Sequence, residues 1–239
     1  MFQCELSVKY GSKQVFDSFK LTLNEGITML FGKNGSGKTT LLHALTGAIA
    51  CEGNLLLDGV ELTSLTPLKR ARYVSLLPQI LPSPDLLVKD AVAMGRFPYG
   101  APSAEDKSRI DEIMQTLGIA CLSERVASSL SGGERQKVFL AMLLAQDTPV
   151  VLLDEPTTYM DISFRETFFS VLNQLKEKRK TVLFVTHDLT SANEADRVLL
   201  LDGGALAFDG TKDECFERNV LESAFSVRSY TVDNYRFFK

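Results

Sequence analysis

Apolar residues in this chain come in short unbroken runs. Ile27-Thr28-Met29-Leu30-Phe31, Val150-Val151-Leu152-Leu153 and Thr181-Val182-Leu183-Phe184-Val185-Thr186 are the clearest. Runs of this length, rich in β-branched and aromatic residues, read as strands covered on both faces, as in a parallel sheet. Thr39-Thr40-Leu41-Leu42-His43-Ala44-Leu45 reads instead as the start of a helix, and Val138 to Leu144 as part of a mainly apolar one. Val198 to Phe208 reads as strand, turn, strand, with Gly203-Gly204 as the turn. The pattern divides the chain. Residues 1–78 mix strand patterns with one helix, 79–146 read as mostly helical, 147–215 alternate strand and helix again, and 216–239 form a short tail. The predicted class is α/β, with a helical insertion that brings no strands of its own.

Composition narrows this only by exclusion. The 239 residues are 45% hydrophobic and 23% charged, the profile of an ordinary globular chain. The net charge of −4 supplies no basic footprint for nucleic acid, and the cluster from Lys176 to Lys180 reads as a solvated helix end. No stretch approaches the roughly 18 apolar residues of a membrane-spanning helix. Met1-Phe2-Gln3-Cys4-Glu5 lacks the charged start and apolar core of a signal peptide, so the expected compartment is the cytoplasm. Cys4, Cys51, Cys121 and Cys215 are scattered without metal-ligand spacing and are expected to be reduced thiols.

The chemistry begins where the first buried strand meets the first helix. Gly32-Lys33-Asn34-Gly35-Ser36-Gly37-Lys38-Thr39 fits G-x-x-x-x-G-K-[ST], the Walker A phosphate loop. Glycines there let backbone N–H groups point inward, and the helix N-terminus beginning near Thr39-Thr40 adds its own unpaired N–H groups. Lys38 should reach the β- and γ-phosphates of a nucleoside triphosphate, and Thr39 should place its hydroxyl on Mg²⁺. His43, one turn on, reads as locally packed. Val150 to Leu153 ends in Asp154-Glu155, at the strand end where open α/β sheets hold ligands. Asp154 would hold Mg²⁺, through water, and Glu155 would act as general base. A strand end meeting a polar loop is the plainer alternative. His187 could donate to the γ-phosphate; Thr186 and Asp188 are also capping types, so a helix start is the competing reading.

The second decisive segment is Leu130-Ser131-Gly132-Gly133-Glu134-Arg135-Gln136. Ser131 is a good N-cap, Glu134 occupies the capping-box position, and Gly132-Gly133 leave backbone N–H groups bare. That is a second anion site on one chain.

Together these residues resemble the ATP-binding-cassette ATPases, in family order and over nearly the whole chain. The resemblance implies an ATPase whose phosphate-loop core carries an N-terminal antiparallel β subdomain and an inserted helical subdomain. It makes Tyr10 the aromatic that stacks on adenine, and Gln79 the residue that contacts Mg²⁺ and water. It makes Ser131, Gly132, Gly133 and Glu134 the signature, and His187 the switch histidine. Met160-Asp161 would end the loop that crosses the dimer interface, with Asp161 at the nucleotide; Tyr159 is bulky for such a loop. One copy of each motif implies a head-to-tail homodimer with two ATP molecules between the subunits. Gly95-Arg96-Phe97-Pro98-Tyr99 and Thr157 to Ile162 resemble ATPases of ferric-siderophore, haem and vitamin B12 importers. There Gly95 and Pro98 would stop a helix and present Arg96, Phe97 and Tyr99 for docking; a plain helix–loop transition with buried aromatics is the alternative. The implied partners are two transmembrane permease subunits and, indirectly, an extracytoplasmic solute-binding protein, with the chain peripheral on the cytoplasmic face of the inner membrane. An exporter subunit or a soluble non-transport cassette ATPase are the other readings.

Overall fold

The computed structural model describes all 239 residues except Tyr159, with Ile162 described by its backbone alone. The expectation placed on Tyr159 therefore lies outside the described residues. The chain opens with β1 (Phe2–Tyr10), β2 (Lys13–Leu23) and β3 (Gly26–Phe31), followed by the helix Lys38–Thr46. β4 (Glu52–Leu57), β5 (Val60–Glu61) and β6 (Val74–Leu77) lead to a helical layer. Its main pieces are Val88–Ala93, Ala104–Thr116 and Gly132–Gln146. β7 (Val150–Asp154), the helix Ile162–Glu177, β8 (Thr181–Val185), β9 (Arg197–Asp202) and β10 (Ala205–Thr211) follow. Two short helices and the hairpin β11 (Ser229–Val232) and β12 (Tyr235–Phe238) close the fold.

The main sheet runs β10-β9-β3-β8-β7-β6. β9, β3, β8, β7 and β6 are mutually parallel, and β10 is antiparallel at one edge. The two-residue alternation of each strand divides its side chains between two cores. Met29, Phe31, Leu153, Val182 and Phe184 face the helical layer. Leu30, Leu152, Leu183, Val185 and Leu199 face the first helix and the separate antiparallel sheet β2-β1-β4-β5. Both faces are dry, which is why these strands read as continuous apolar runs.

Register brings three strand ends level. Leu30 of β3 and Asp154 of β7 both pair with Val185 of β8. Whatever chain leaves β3, β8 and β7 must emerge side by side.

The turn at Gly95 presents Phe97 and Tyr99 as expected and departs from the expectation at Arg96. Gly95 is buried, and a Cβ there would sit 2.2 Å from the Met142 carbonyl, so this glycine permits a close helix crossing. Arg96 is not presented to solvent. Its guanidinium pairs with Asp106 at 2.7 Å, donates to the Ala145 carbonyl at 3.2 Å, and lies 4.0 Å from the Tyr99 ring centroid. Phe97 (61% exposed), Met94 (48%) and Tyr99 (38%) are the exposed side chains of the turn.

Two further expectations change. Lys180 is not a free helix-end charge: it donates to the Asp147 carboxylate at 2.8 Å and carbonyl at 3.1 Å. The tail after 216 holds a built hairpin, joined to the body where Asn193 and the Arg236 backbone exchange two hydrogen bonds of 2.7 Å. Its turn is Asp233-Asn234, both at positive φ, the residue types such a two-residue turn favours. That signal was present in the sequence.

Asp147 accepts from Arg109 (2.9 Å) of the helical layer and from Lys180 at the root of β8. Burial works to raise its carboxyl, but the two cations outweigh it and hold the group below the usual aspartate value. A carboxylate depressed in the folded state contributes stability above its unfolded pKa and loses it as pH falls through the folded one. Asp147→Asn, which keeps the left-handed backbone tolerable, should cost roughly 1–2 kcal/mol at pH 7. In urea titrations from pH 7 downward, the gap to the parent should close as the ordinary aspartate range is passed.

Candidate active site

The phosphate loop leaves β3 and wraps the start of the helix Lys38–Thr46. That helix has no side-chain cap: its cap position is Gly37, at φ 108°. A Cβ on Gly37 would also lie 2.8 Å from the Phe16 ring. The helices starting after Ser103, Ser131 and Thr211 each close a capping box with their own side chains. The phosphate-loop helix has no such internal acceptor, nor an acidic residue in its first turn, and its dipole faces an open cavity.

That cavity, about 870 Å³, is walled by Asn34 to Thr40, by Tyr10, and by Gln79, Glu155 and His187. Tyr10, at the end of β1, is half exposed over it. Lys38 is buried, and its ammonium donates to the carbonyls of Gly32 (2.7 Å) and Lys33 (3.1 Å). Burial draws its pKa below the usual lysine value, opposed by the charges of Glu155 and Asp154. Gly32 and Lys33 thus shape the loop from beneath through their carbonyls; neither lines the cavity.

Asp154, the last residue of β7, is buried. Its Oδ2 accepts from the Thr39 hydroxyl at 3.0 Å, while Oδ1 is buried without a partner. Burial pushes this carboxyl up from the usual aspartate value; the Thr39 hydrogen bond only partly offsets that. A hydroxyl and a carboxylate with an unfilled oxygen make a hard-donor pair suited to a divalent cation.

Glu155 follows at φ 48°, a strained backbone for a residue with a side chain. Its N–H donates to the Val185 carbonyl at 2.9 Å, which turns the carboxylate out of the sheet toward the cavity. One carboxylate oxygen accepts from Gln79 Nε2 at 3.0 Å; the other lies 2.9 Å from His187 Nε2. Gln79 is therefore placed against Glu155 rather than against the Thr39–Asp154 pair. Beyond His187, Asp188 accepts from Thr190 N and caps a short 3₁₀ helix, so capping and cavity-facing roles coexist in adjacent residues. His43 sits in the helix without lining the cavity.

The remaining expected site residues stand elsewhere. Ser131 and Glu134 close a capping box in which Ser131 N and Oγ donate to Glu134 at 2.9 and 2.7 Å. These bonds hold the Glu134 carboxyl below the usual glutamate value. Ser131 and Gly132 are exposed, and Gly132 borders a different groove, with Ile80, Arg135 and Thr158. Asp161 caps the helix Ile162–Glu177, accepting from Phe164 N at 2.7 Å. None of Ser131, Gly132, Gly133, Glu134 or Asp161 lines the phosphate-loop cavity.

Sequence reading missed part of the wall: Lys13, Gln14 and Val15 of β2, and the Gly203-Gly204 turn. The turn was legible as a turn, but its place over the loop comes from β9 lying next to β3.

Residues 16–158 match the family model described as ABC transporter. The chain belongs to the ABC transporter family. It is an ATP-binding subunit, an ATPase of the translocase type. The achromobactin transport ATP-binding protein of Dickeya dadantii is 33% identical over 232 residues, 93% of this chain and 86% of its own. The iron(3+)-hydroxamate import ATP-binding protein of Bacillus subtilis is 33% identical over 241 residues, covering 97% and 90%. The hemin import ATP-binding protein of Pseudomonas fluorescens is 34% identical over 231 residues, covering 93% and 91%. Among solved structures, an ATP-binding subunit of an ABC transporter superposes with a TM-score of 0.86 at 20% identity, over 95% of this chain and 98% of that one. A dimeric cassette in a post-hydrolysis state, bound to ADP and Pi, gives 0.78 at 26% identity, over 89% and 99%. The α/β cassette fold, with its antiparallel subdomain and mixed main sheet, follows from these likenesses.

The raised Asp154 carboxyl has a consequence for the nucleotide-free ABC ATPase. The folded state binds this proton more tightly than the unfolded one, so folding is least hindered at low pH and is opposed as pH rises above the aspartate range. Asp154→Asn should shift the urea midpoint of the nucleotide-free protein upward at pH 7, with the advantage shrinking on acidification. Hydrolysis should fall by at least about 10²-fold in the same variant.

Proposed function

We propose that this ABC ATPase hydrolyses Mg-ATP in sites shared by two copies of the chain, and that it powers import of a ferric siderophore or related metal chelate such as haem. The observation that carries the catalytic part is the Glu155 carboxylate, poised between Gln79 and His187 at the mouth of the phosphate-loop cavity. In this reading Lys38 and the N–H groups of residues 34–40 hold the phosphates, Gly32 and Lys33 support the loop from beneath, and Tyr10 stacks on adenine. Thr39 and Asp154, with Gln79 nearby, hold Mg²⁺. Bound there, the cation would neutralise charge on the phosphate oxygens. Glu155 accepts the proton of the attacking water, and His187 donates a hydrogen bond toward the γ-phosphate. Gln79 orients the water and Glu155 together.

The signature, Ser131 to Glu134, with Ser131 and Gly132 exposed, supports the two-copy site. Its glycines and helix N-terminus lie outside the cavity of their own chain, free to meet the nucleotide of a partner copy, with Asp161 at the seam. In this reading one cassette domain comprises a core of residues 1–78 and 147–215, a helical lobe of residues 79–146 and the segment 216–239.

Exposed Phe97 and Met94 support docking of the helical lobe on a permease. Among the described residues no helix is long and apolar enough to cross a membrane. Membrane attachment would therefore come through two permease subunits, on the cytoplasmic face. An extracytoplasmic binding protein would present the cargo to them. The importer and cargo assignments rest on relatives whose names specify achromobactin, iron(3+)-hydroxamate and hemin.

Glu155→Gln should bind ATP normally, hydrolyse it at least about 10²-fold more slowly and accumulate as an ATP-bound dimer on size exclusion. Undiminished turnover would remove Glu155 from the role of base. Tagged Glu155→Gln recovered from detergent-solubilised native membranes should bring down a multi-span permease; soluble partners alone would overturn the importer reading. Ser131→Arg should retain nucleotide binding on its own loop and lose hydrolysis. Loss of all nucleotide binding would contradict the shared site.

A further inference from the structure

The loop that carries His187 is fastened from outside the cavity. Asp188 Oδ1 accepts from Thr190 N at 3.0 Å, and Oδ2 accepts from Ser191 Oγ at 2.9 Å. The Arg165 guanidinium donates to the same Oδ2 and reaches Ser191 Oγ at 3.2 Å. It lies 5.6 Å from the Phe169 ring centroid, which limits its swing. Arg165 occupies the first turn of the helix Ile162–Glu177, and its N–H donates to the carbonyl of the cap residue Asp161 at 3.1 Å. One helical turn therefore joins Asp161 to the anchor of the His187 loop, and His187 reaches Glu155 at 2.9 Å.

We propose that Arg165 is a positioning residue for hydrolysis: through Asp188 it holds His187 in register with Glu155. This rests on the roles given above to His187 and Glu155. Magnitudes separate the idea from a merely structural one. The side chains of Arg165 and Asp188 are 40% and 32% exposed, and exposed ion pairs add little to global stability. An ångström of misplacement at reacting groups, by contrast, can cost about 10²-fold in rate. The site also calls for arginine. Both bonds come from one guanidinium nitrogen, Nη2, while the group lies over the Phe169 ring; a lysine ammonium on a flexible stem reproduces that combination less well.

The test is steady-state ATPase kinetics on the purified full-length chain and its Arg165→Met, Arg165→Lys, His187→Ala and Arg165→Met/His187→Ala variants. Arg165→Met should lower kcat by about 10- to 100-fold, with KM for ATP within about threefold and the melting temperature nearly unchanged. Arg165→Lys should recover part of the rate. In the His187→Ala background, Arg165→Met should add no further loss, because both changes act on one group. Full kcat in Arg165→Met, an equal fold-loss in both backgrounds, or a rate loss that tracks a falling melting temperature would each overturn the inference. Slow His187→Ala beside full-rate Arg165→Met removes the inference alone; full-rate His187→Ala removes the underlying role of His187 and the inference with it.

Discussion

Burial of the central strands on both faces is the constraint from which the rest of the molecule follows. β3, β8 and β7 carry apolar side chains into two separate cores, so polar chemistry can appear only where these strands end. Their register makes those ends level at Val185. The phosphate loop, Asp154-Glu155 and Thr186-His187 therefore emerge side by side. Three segments far apart in sequence become one cavity wall without any loop having to search for another.

The same constraint explains why the site holds unfulfilled groups. Lys38 and Asp154 are buried at the carboxyl end of the sheet, each displaced from its ordinary pKa first of all by loss of water. Asp154 Oδ1 and Ser36 Oγ are buried without partners. The helix between them begins at a glycine rather than at a capping side chain. Buried atoms without hydrogen-bond partners also occur away from the loop, at Gln136 Oε1 and Glu222 Oε2; the two beside the loop are the ones a charged ligand could complete. The signature helix differs: Ser131 and Glu134 close a capping box at its start, Ser131 and Gly132 are exposed, and its later turns are buried in the core.

The helical layer is tied to the sheet at defined points. Gln136 Nε2 of the signature helix donates to the Pro156 carbonyl at 2.5 Å, directly after Glu155. Gln146 donates to the Ala71 carbonyl at 2.6 Å, and Arg72 to the Pro98 carbonyl at 2.7 Å, both just ahead of the strand that leads to Gln79. Arg72 joins the turn bearing exposed Phe97 to the segment ahead of β6, and Gln136 joins the signature helix to the residue after Glu155. They give the two layers few but direct connections.

Local rules were enough to read much of this protein from its residues. A buried strand is an apolar run, a phosphate loop needs its glycines and Lys38 at set spacing, and a capping box needs Ser131 three residues before Glu134. Each of these is settled within a handful of neighbours. What the tertiary structure decided is what depends on register and on crossing elements. Alignment of β3 with β9 sets Gly203-Gly204 over the loop, and the close crossing at Gly95 turns Arg96 inward onto Asp106. Asn193 anchors a hairpin whose exposed alternation of Tyr230 and Val232 carries no core signal. Arg165 meets Asp188 only because one helix turn packs beside one strand end. Such pairings are long-range and leave no period in the chain, so no local pattern announces them.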